Sequence, residues 1–310
     1  MTGSLLITGA NGYLGANCVE RLIYSSEREV VATWGTRRDR LLAKPPAHLH
    51  YEQCDLTDWA QVNVLFQRWK IHEVIHTAAL LPDTKPDFLR RAIQSNIVAT
   101  AHLVECALNA GCTRFVYCSS ISVYGMAPCP ALGWDECTPV APSSIYGWTK
   151  HAGEECVRLH SGIDKLTGVS LRLSGLHGPG RNGGAVFHMM RAALAGQPLV
   201  VNNQGSRFQL LFVDDAIESL RLALKDPMPT HYHCINLSSH IFTSLKQLAE
   251  YITVNCESKS AIQAGTEGEG GDQIMNTVRM NKLLGLNPQS VDAHLDKIRT
   301  SLEGMHGRYA

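Results

Sequence analysis

Apolar residues fall along this chain in two spacings. Short unbroken runs such as Ser4–Thr8, Val30–Trp34 and Phe115–Cys118 alternate with longer stretches in which apolar positions return every few residues, as at Val19, Leu22 and Ile23. The first spacing predicts strands and the second predicts helices. Strands are expected at Ser4–Thr8, Val30–Trp34, Leu49–Gln53, Glu73–Ala79, Phe115–Cys118 and Val169–Leu173. Helices are expected after Gly15, from near Asp58, over Phe88–Ala110 and from near Ser144. Further on, Val186–Ala195 reads as a helix, Gln197–Val201 as a short strand, and Asp214 and Asp215 as caps of another helix. Val291–Leu302 reads as an amphipathic last helix. Pro128–Pro142 reads as a loop over the site, and Gly265–Asp272, rich in glycine and carboxylates, as a mobile surface loop. Strands alternating with helices predict an open α/β sheet, whose chemistry sits at the carboxyl ends of its strands.

The first strand runs into Gly9-Ala10-Asn11-Gly12-Tyr13-Leu14-Gly15 and then a helical pattern. A strand, a glycine turn and a helix start together aim backbone N–H groups and the positive end of a helix dipole at an anion, typically a pyrophosphate. Gly9 permits the tight turn, Gly12 lets phosphates approach the backbone, and Gly15 allows close helix packing. The GxxGxxG spacing is looser than the common dinucleotide fingerprint; its place between a strand and a helix is what sets it apart from a plain glycine turn. The second strand ends in Gly35-Thr36-Arg37-Arg38, where a cofactor with free ribose hydroxyls usually meets a carboxylate. Two guanidiniums and no carboxylate suit a 2′-phosphate, so NADP(H) is preferred over NAD(H), with a solvated basic loop as the plain alternative. Asp55, beside Leu56, is placed either to bond an adenine or to cap the next helix. Thr77, Ala78 and Ala79 are small enough for a cofactor to lie over the strand end, while His76 reads as a packed residue. Asn96, within the helix expected over Phe88–Ala110, is a further cofactor-binding candidate.

The strand at Phe115–Cys118 delivers Ser119 and Ser120 at its carboxyl end, and the helix from Ser144 carries Tyr146-Gly147-Trp148-Thr149-Lys150. Tyr146 and Lys150 share a helix face. An ammonium held near a phenol favours the phenolate, so the tyrosine becomes a general acid or base, and a Ser120 hydroxyl can bridge it to a substrate oxygen. By itself the Tyr-Lys spacing also fits a surface pair; the glycine turn and the serines give it weight.

Composition narrows the partners. Lys+Arg and Asp+Glu are both 28 in the 310 residues, which argues against a nucleic-acid partner. No stretch approaches the roughly 20 apolar residues of a membrane helix, and a soluble cytoplasmic protein is expected. The ten cysteines show no CxxC pair and the fourteen histidines no ligand spacing, so reduced thiols and no metal site are expected.

With Gly9, Gly12 and Gly15, Ser120, Tyr146 and Lys150, then Gly178-Pro179 and Val213-Asp214-Asp215 in the same order, the chain resembles an extended short-chain dehydrogenase/reductase of the NAD(P)-dependent epimerase/dehydratase family. The resemblance reaches Leu283-Leu284-Gly285-Leu286-Asn287-Pro288 near the end. It implies a doubly wound parallel sheet, the Rossmann fold, over residues 1–175 and 208–240, and a smaller C-terminal α/β substrate lobe over 176–207 and 241–310. It also implies Tyr146 as proton donor or acceptor, Lys150 as its tuner and a holder of the nicotinamide ribose, and Ser120 as the group orienting the substrate oxygen. A homodimer through the helices near 95–110 and 145–160 is expected by the same analogy.

Departures from the family narrow the reaction. Dehydratases of the family carry an Asp-Glu pair where this chain has Ile121 and Ser122, and epimerase-reductases use a Cys and a His where it has Ser122 and Gly180. Hydride transfer at one carbon remains, as a reductase or as a 4-epimerase that retains NAD. The family's Asn before Tyr-Gly-Pro is Gly175 here, and its Tyr is His177. Ser122, His177, Arg181 and Arg207 are the candidate substrate contacts, with a nucleotide-sugar as the favoured substrate. A reductase of a small non-nucleotide carbonyl is the second reading, and a non-catalytic cofactor-binding regulatory subunit the third.

Overall fold

In the computed structural model, residues 3–23, 28–225, 229–266 and 271–306 are described. Residues 267–270, half of the loop expected to be mobile, lie outside them. The chain opens with β1 (Ser4–Thr8), α1 (Tyr13–Leu22), β2 (Val30–Trp34), β3 (Leu49–Gln53), α2 (Trp59–Trp69) and β4 (Ile71–His76). There follow α3 (Phe88–Ala92), a π-helical segment (Ile93–Val98), α4 (Ala99–Asn109), β5 (Arg114–Ser120), α5 (Ile145–His160) and β6 (Thr167–Leu173). Next come β7 (Gly175–His177), α6 (Ala185–Leu194), β8 (Leu199–Val201), β9 (Arg207–Phe208), β10 (Leu210–Phe212), α7 (Val213–Ala223) and β11 (Tyr232–Leu237). The chain ends with β12 (Thr243–Ser244), α8 (Leu245–Asn255), β13 (Ile262–Ala264), α9 (Val278–Leu284) and α10 (Leu295–His306).

A seven-stranded sheet takes the order β11-β6-β5-β4-β1-β2-β3. The pairings β3–β2, β2–β1, β1–β4 and β4–β5 are parallel, and with its flanking helices the sheet is a Rossmann-like α/β fold. The order reverses between β1 and β4, which places a crevice at the carboxyl ends of those strands. The apolar runs that predicted strands are buried because helices cover the sheet: Leu6, Val31, Val74 and Phe115 pack with Val62, Leu65 and Phe66 of α2 and Leu103 and Ala107 of α4. Each such side chain contributes about 1.5–3 kcal/mol when fully buried.

The chain divides into one unit of Met1–Ala127, Thr138–Arg172 and Ile217–Ile235, and a second of Pro128–Cys137, Leu173–Ala216 and Asn236–Ala310. The sequence reading expects residues 176–207 and 241–310 in the smaller lobe; the second unit takes in 128–137, 173–175, 208–216 and 236–240 besides. That second unit has its own core, with Val186 and Met190 of α6, Leu248 and Ile252 of α8, and Leu295 and Ile298 of α10. Its strands pair as β7–β10, β8–β13 and β9–β12.

Three local details depart from the sequence expectation. The helix expected over Phe88–Ala110 is interrupted by π geometry at 93–98, a widening that side-chain periodicity does not announce. The cap of α2 is Asp58, whose carboxylate accepts from the Ala60 and Gln61 amides, while Asp55 accepts from the Thr57 amide and hydroxyl. Asp214 and Asp215 lie in the first turn of α7 rather than at its cap, where they still face the positive end of the helix dipole.

Candidate active site

The glycine turn joins β1 to α1, and no side chain caps the helix at Gly12. Its first N–H groups are thereby left for an anion. Close approach explains the third glycine: a Cβ at Gly15 would stand 2.1 Å from the Gly9 carbonyl oxygen and 2.7 Å from Thr77 Oγ1. Thr77 Oγ1 in turn donates to the Thr8 carbonyl at 2.7 Å, fastening the end of β4 to the end of β1. His76 is fully buried, sharing hydrogen bonds with Thr8 Oγ1 at 2.7 Å and Thr100 Oγ1 at 3.0 Å. Burial holds its imidazole down to about 3, so it is a neutral packed residue.

Beside this turn a cleft of about 730 Å³ runs along the strand ends, lined by Gly9, Gly35, Thr36, Asp55, Leu56 and Ala78 among others. That volume suits an adenosine with its phosphates. Trp34 and Gln53 line it too; the sequence carries no motif for them. The loop after β2 is clasped to the glycine turn. Asn11 Nδ2 donates to Asp39 at 3.1 Å, and the Arg40 amide donates to Asn11 Oδ1 at 2.8 Å. Arg37 pairs with Asp39 at 3.0 Å, and neither Arg37 nor Arg38 is among the residues lining the cleft. The sequence reading missed Asp39, which stands one residue beyond the arginines. Arg40 lies over the Tyr13 ring, 5.9 Å from its centroid.

The catalytic candidates converge on the end of β5. Ser120 caps a short 3-10 turn at Ile121–Val123, its Oγ accepting from the Ser122 amide at 3.1 Å and bonding Ser122 Oγ at 3.1 Å. Helix α5 presses on that turn: a Cβ at Gly147 would sit 2.3 Å from the Ser122 carbonyl oxygen. The glycine after Tyr146 therefore sets how close the tyrosine comes to Ser120. Ser144 caps α5 by accepting from the Gly147 amide at 3.0 Å. Lys150 is only 2% exposed, with its Nζ 4.3 Å from the Tyr117 ring centroid. Burial lowers its pKa to about 8, while Cys118 and Glu154 act in the raising direction.

Asn96 turns out to be a brace. Its amide accepts from the Leu80 N–H at 2.7 Å and donates to the Leu80 carbonyl at 3.0 Å and to Thr149 Oγ1 at 3.0 Å. Thr149 Oγ1 then donates to the Tyr146 carbonyl at 2.9 Å. The π segment thus fixes the turn of α5 that carries Tyr146 and Lys150.

The sequence reading also passed over a buried ion pair. Arg172 of β6 donates to Glu154 through Nε at 2.9 Å and Nη2 at 2.8 Å, and to Tyr124 Oη at 3.0 Å. Ser119 Oγ donates to the same carboxylate at 2.5 Å. Helical spacing puts Glu154 on the face of Tyr146 and Lys150, but nothing local in the sequence pairs it with Arg172.

The other substrate candidates lie in the second unit. His177 is buried against Phe212, with ring centroids 5.4 Å apart, and its burial holds the imidazole down to about 3. Arg207 is engaged by Asp272 and lies over the Phe242 ring. Arg181, Gly183 and Gly184 line a small cavity at the start of α6, whose N-terminus has no side-chain cap.

Gly15→Ala is expected to destabilise the protein by about 1–3 kcal/mol through overpacking and to weaken nicotinamide nucleotide binding. A thermal melt and a fluorescence titration with NADH and NADPH check both.

Residues 5–238 match the NAD dependent epimerase/dehydratase family. A dTDP-glucose 4,6-dehydratase of Neisseria gonorrhoeae is 28% identical over 235 residues, covering 70% of this chain and 68% of that one. A UDP-glucose 4-epimerase of Mycolicibacterium smegmatis is 27% identical over 302 residues, covering 92% and 93%. The fold is shared with the crystal structure of UDP-glucuronic acid 4-epimerase from Bacillus cereus in complex with NAD, at a TM-score of 0.84 and 21% identity over 98% of this chain and 99% of that one. Among the described residues no helix is long and apolar enough to cross a membrane.

Proposed function

The chain belongs to the NAD dependent epimerase/dehydratase family, and from that membership we propose that it is an oxidoreductase acting at a carbinol or carbonyl carbon of a nucleotide-sugar. The observation that carries this is the buried Lys150 on the face of α5 that bears Tyr146, pressed against the Ser120 turn at the end of β5. The residues present fit a nicotinamide dinucleotide: the glycine cradle excludes even a Cβ at Gly15, and the cleft beside it follows the strand ends. The bound cofactor supplies hydride exchange at its nicotinamide. Tyr146 exchanges the proton on the substrate oxygen, Lys150 provides the positive charge that favours the phenolate, and Ser120 supports charge developing on that oxygen.

The two residues after Ser120, Ile121 and Ser122, offer no carboxyl group. Sugar 4,6-dehydration, which needs an acid for the leaving hydroxyl, is therefore set aside. A nucleotide-sugar substrate is supported by the relatives with UDP-glucose and dTDP-glucose in their names, and by the uncapped start of α6 with Arg181, which suits a phosphate. NADP(H) remains the preferred cofactor on the strength of Arg37 and Arg38, although Asp39 competes for Arg37. The neighbour from Bacillus cereus was solved with NAD, and an epimerase that retains NAD is the alternative. A homodimer belongs to the same reading, with Trp148 and Leu159 of α5 exposed at 47% and 62%.

Thermal-shift measurements with UDP-, GDP- and dTDP-sugars test the substrate class. A stabilising shift with at least one of them is expected; none with any would reject a nucleotide-sugar. Mass spectrometry of the denatured protein identifies the nucleotide it carries. Tightly held NAD would remove the preference for NADP(H) and favour the epimerase.

A further inference from the structure

The buried ion pair has no part in the proton transfer described so far, yet it joins the two elements that carry the catalytic candidates, β5 and α5. Glu154 lies one helical turn beyond Lys150 on α5 and is 2% exposed. Ser119 Oγ donates to its carboxylate at 2.5 Å, and Ser119 is the strand residue next to Ser120. Arg172 donates to both Glu154 oxygens and to Tyr124 Oη, and Tyr124 follows directly on the turn that Ser120 caps.

We propose that Glu154 is a positioning residue for the Tyr146–Lys150 pair: its carboxylate, pinned by Arg172, fastens the strand end bearing Ser120 to the helix bearing Lys150 and keeps a fixed negative charge beside the Lys150 ammonium. It rests on the reading of Tyr146 and Lys150 given above.

The charge argument follows from what surrounds Lys150. Facing it are Glu154 of its own helix, Tyr117 and Cys118 of β5, and His76 of β4, while Tyr146 stands one turn earlier on the same helix face. Burial pushes the Cys118 thiol up to about 12 and the Tyr117 phenol well above its ordinary value, so both are neutral at physiological pH. His76 is neutral as well, held down to about 3 by burial and the Lys150 charge. Glu154 itself faces Arg172 of β6, His151 of α5 and Tyr232 of β11. Burial alone would raise its carboxyl, but the hydrogen bonds and charge of Arg172, together with hydrogen bonds from His151 and Ser119, outweigh that and bring it down to about 2. Glu154 is thus the fixed anion that opposes the cost of burying the Lys150 ammonium.

The test is a pH titration of Lys150 by carbon NMR in protein carrying isotope-labelled lysine, the resonance being identified by its loss in Lys150→Arg. It needs neither substrate nor cofactor, so its result is independent of which sugar or nucleotide the site takes. In Glu154→Gln the Lys150 midpoint is expected to fall by about one pH unit or more, and Glu154→Asp is expected to restore it. Glu154→Gln strands the Arg172 cation, so Glu154→Gln/Arg172→Met, which removes both charges, is titrated beside it with circular dichroism as the check on folding. A lowered midpoint in the folded double variant supports the positioning role; a wild-type midpoint there overturns it and leaves the pair purely structural.

Discussion

Tyr146→Phe is expected to lower turnover about 10²–10⁴-fold, the range that a positioned acid or base contributes, while leaving stability and cofactor affinity near wild type. The substitution removes one oxygen from a half-buried ring and leaves Gly147, the residue that sets the approach of α5 to the Ser120 turn, untouched. The loss should therefore appear in kcat, with the affinity for NADH or NADPH unchanged in a fluorescence titration. Activity equal to wild type would remove Tyr146 from catalysis and favour a cofactor-binding subunit without turnover.

Arg172→Ala is expected to be the most destabilising of the substitutions considered, by about 3–5 kcal/mol at neutral pH, because it strands a buried carboxylate. Arg172 and Glu154 are 6% and 2% exposed, so water does not replace the lost partner. The pH dependence carries a sign. In the wild type the Glu154 carboxyl lies at about 2, below its ordinary 4.5. The stability it contributes is present in full above the ordinary carboxylate range and is lost as pH falls toward the lower value. In Arg172→Ala the main cause of that depression is gone and burial, the largest influence on the carboxyl, pushes it upward against the remaining His151 and Ser119 hydrogen bonds. Acid then relieves the stranded charge, and the gap between variant and wild type should narrow. Urea unfolding at neutral pH and in mild acid measures this; a gap that widens in acid would contradict the assignment of the cost to Glu154.

The parts of the fold that were legible in the sequence are those written by local pattern. Apolar runs marked β1, β2 and β5 because both faces of these strands are covered, and the glycine turn was legible because close backbone approach tolerates no Cβ. The Tyr146–Lys150 pair was legible because helical spacing places it on one face. What could not be read depends on contacts distant in sequence. The ion pair of Glu154 with Arg172 spans two elements, and no local spacing distinguishes it from a solvated surface pair. The role of Asn96 depends on the Leu80 backbone and on Thr149, neither of which its own helix predicts. The Arg37–Asp39 pair shows the limit in the other direction. Counting guanidiniums identifies a basic loop, but only geometry shows that one of them is already engaged.

Hydride transfer to or from the nicotinamide is the central step of the proposed function. The deciding measurement is a single-turnover absorbance trace of the nicotinamide, recorded on mixing the cofactor-loaded protein with UDP-, GDP- and dTDP-sugars in turn. Oxidation or reduction of the nicotinamide with at least one of them, absent in Tyr146→Phe, is the predicted result. A cofactor that stays bound and spectrally unchanged with every sugar, in wild type and variant alike, would contradict it.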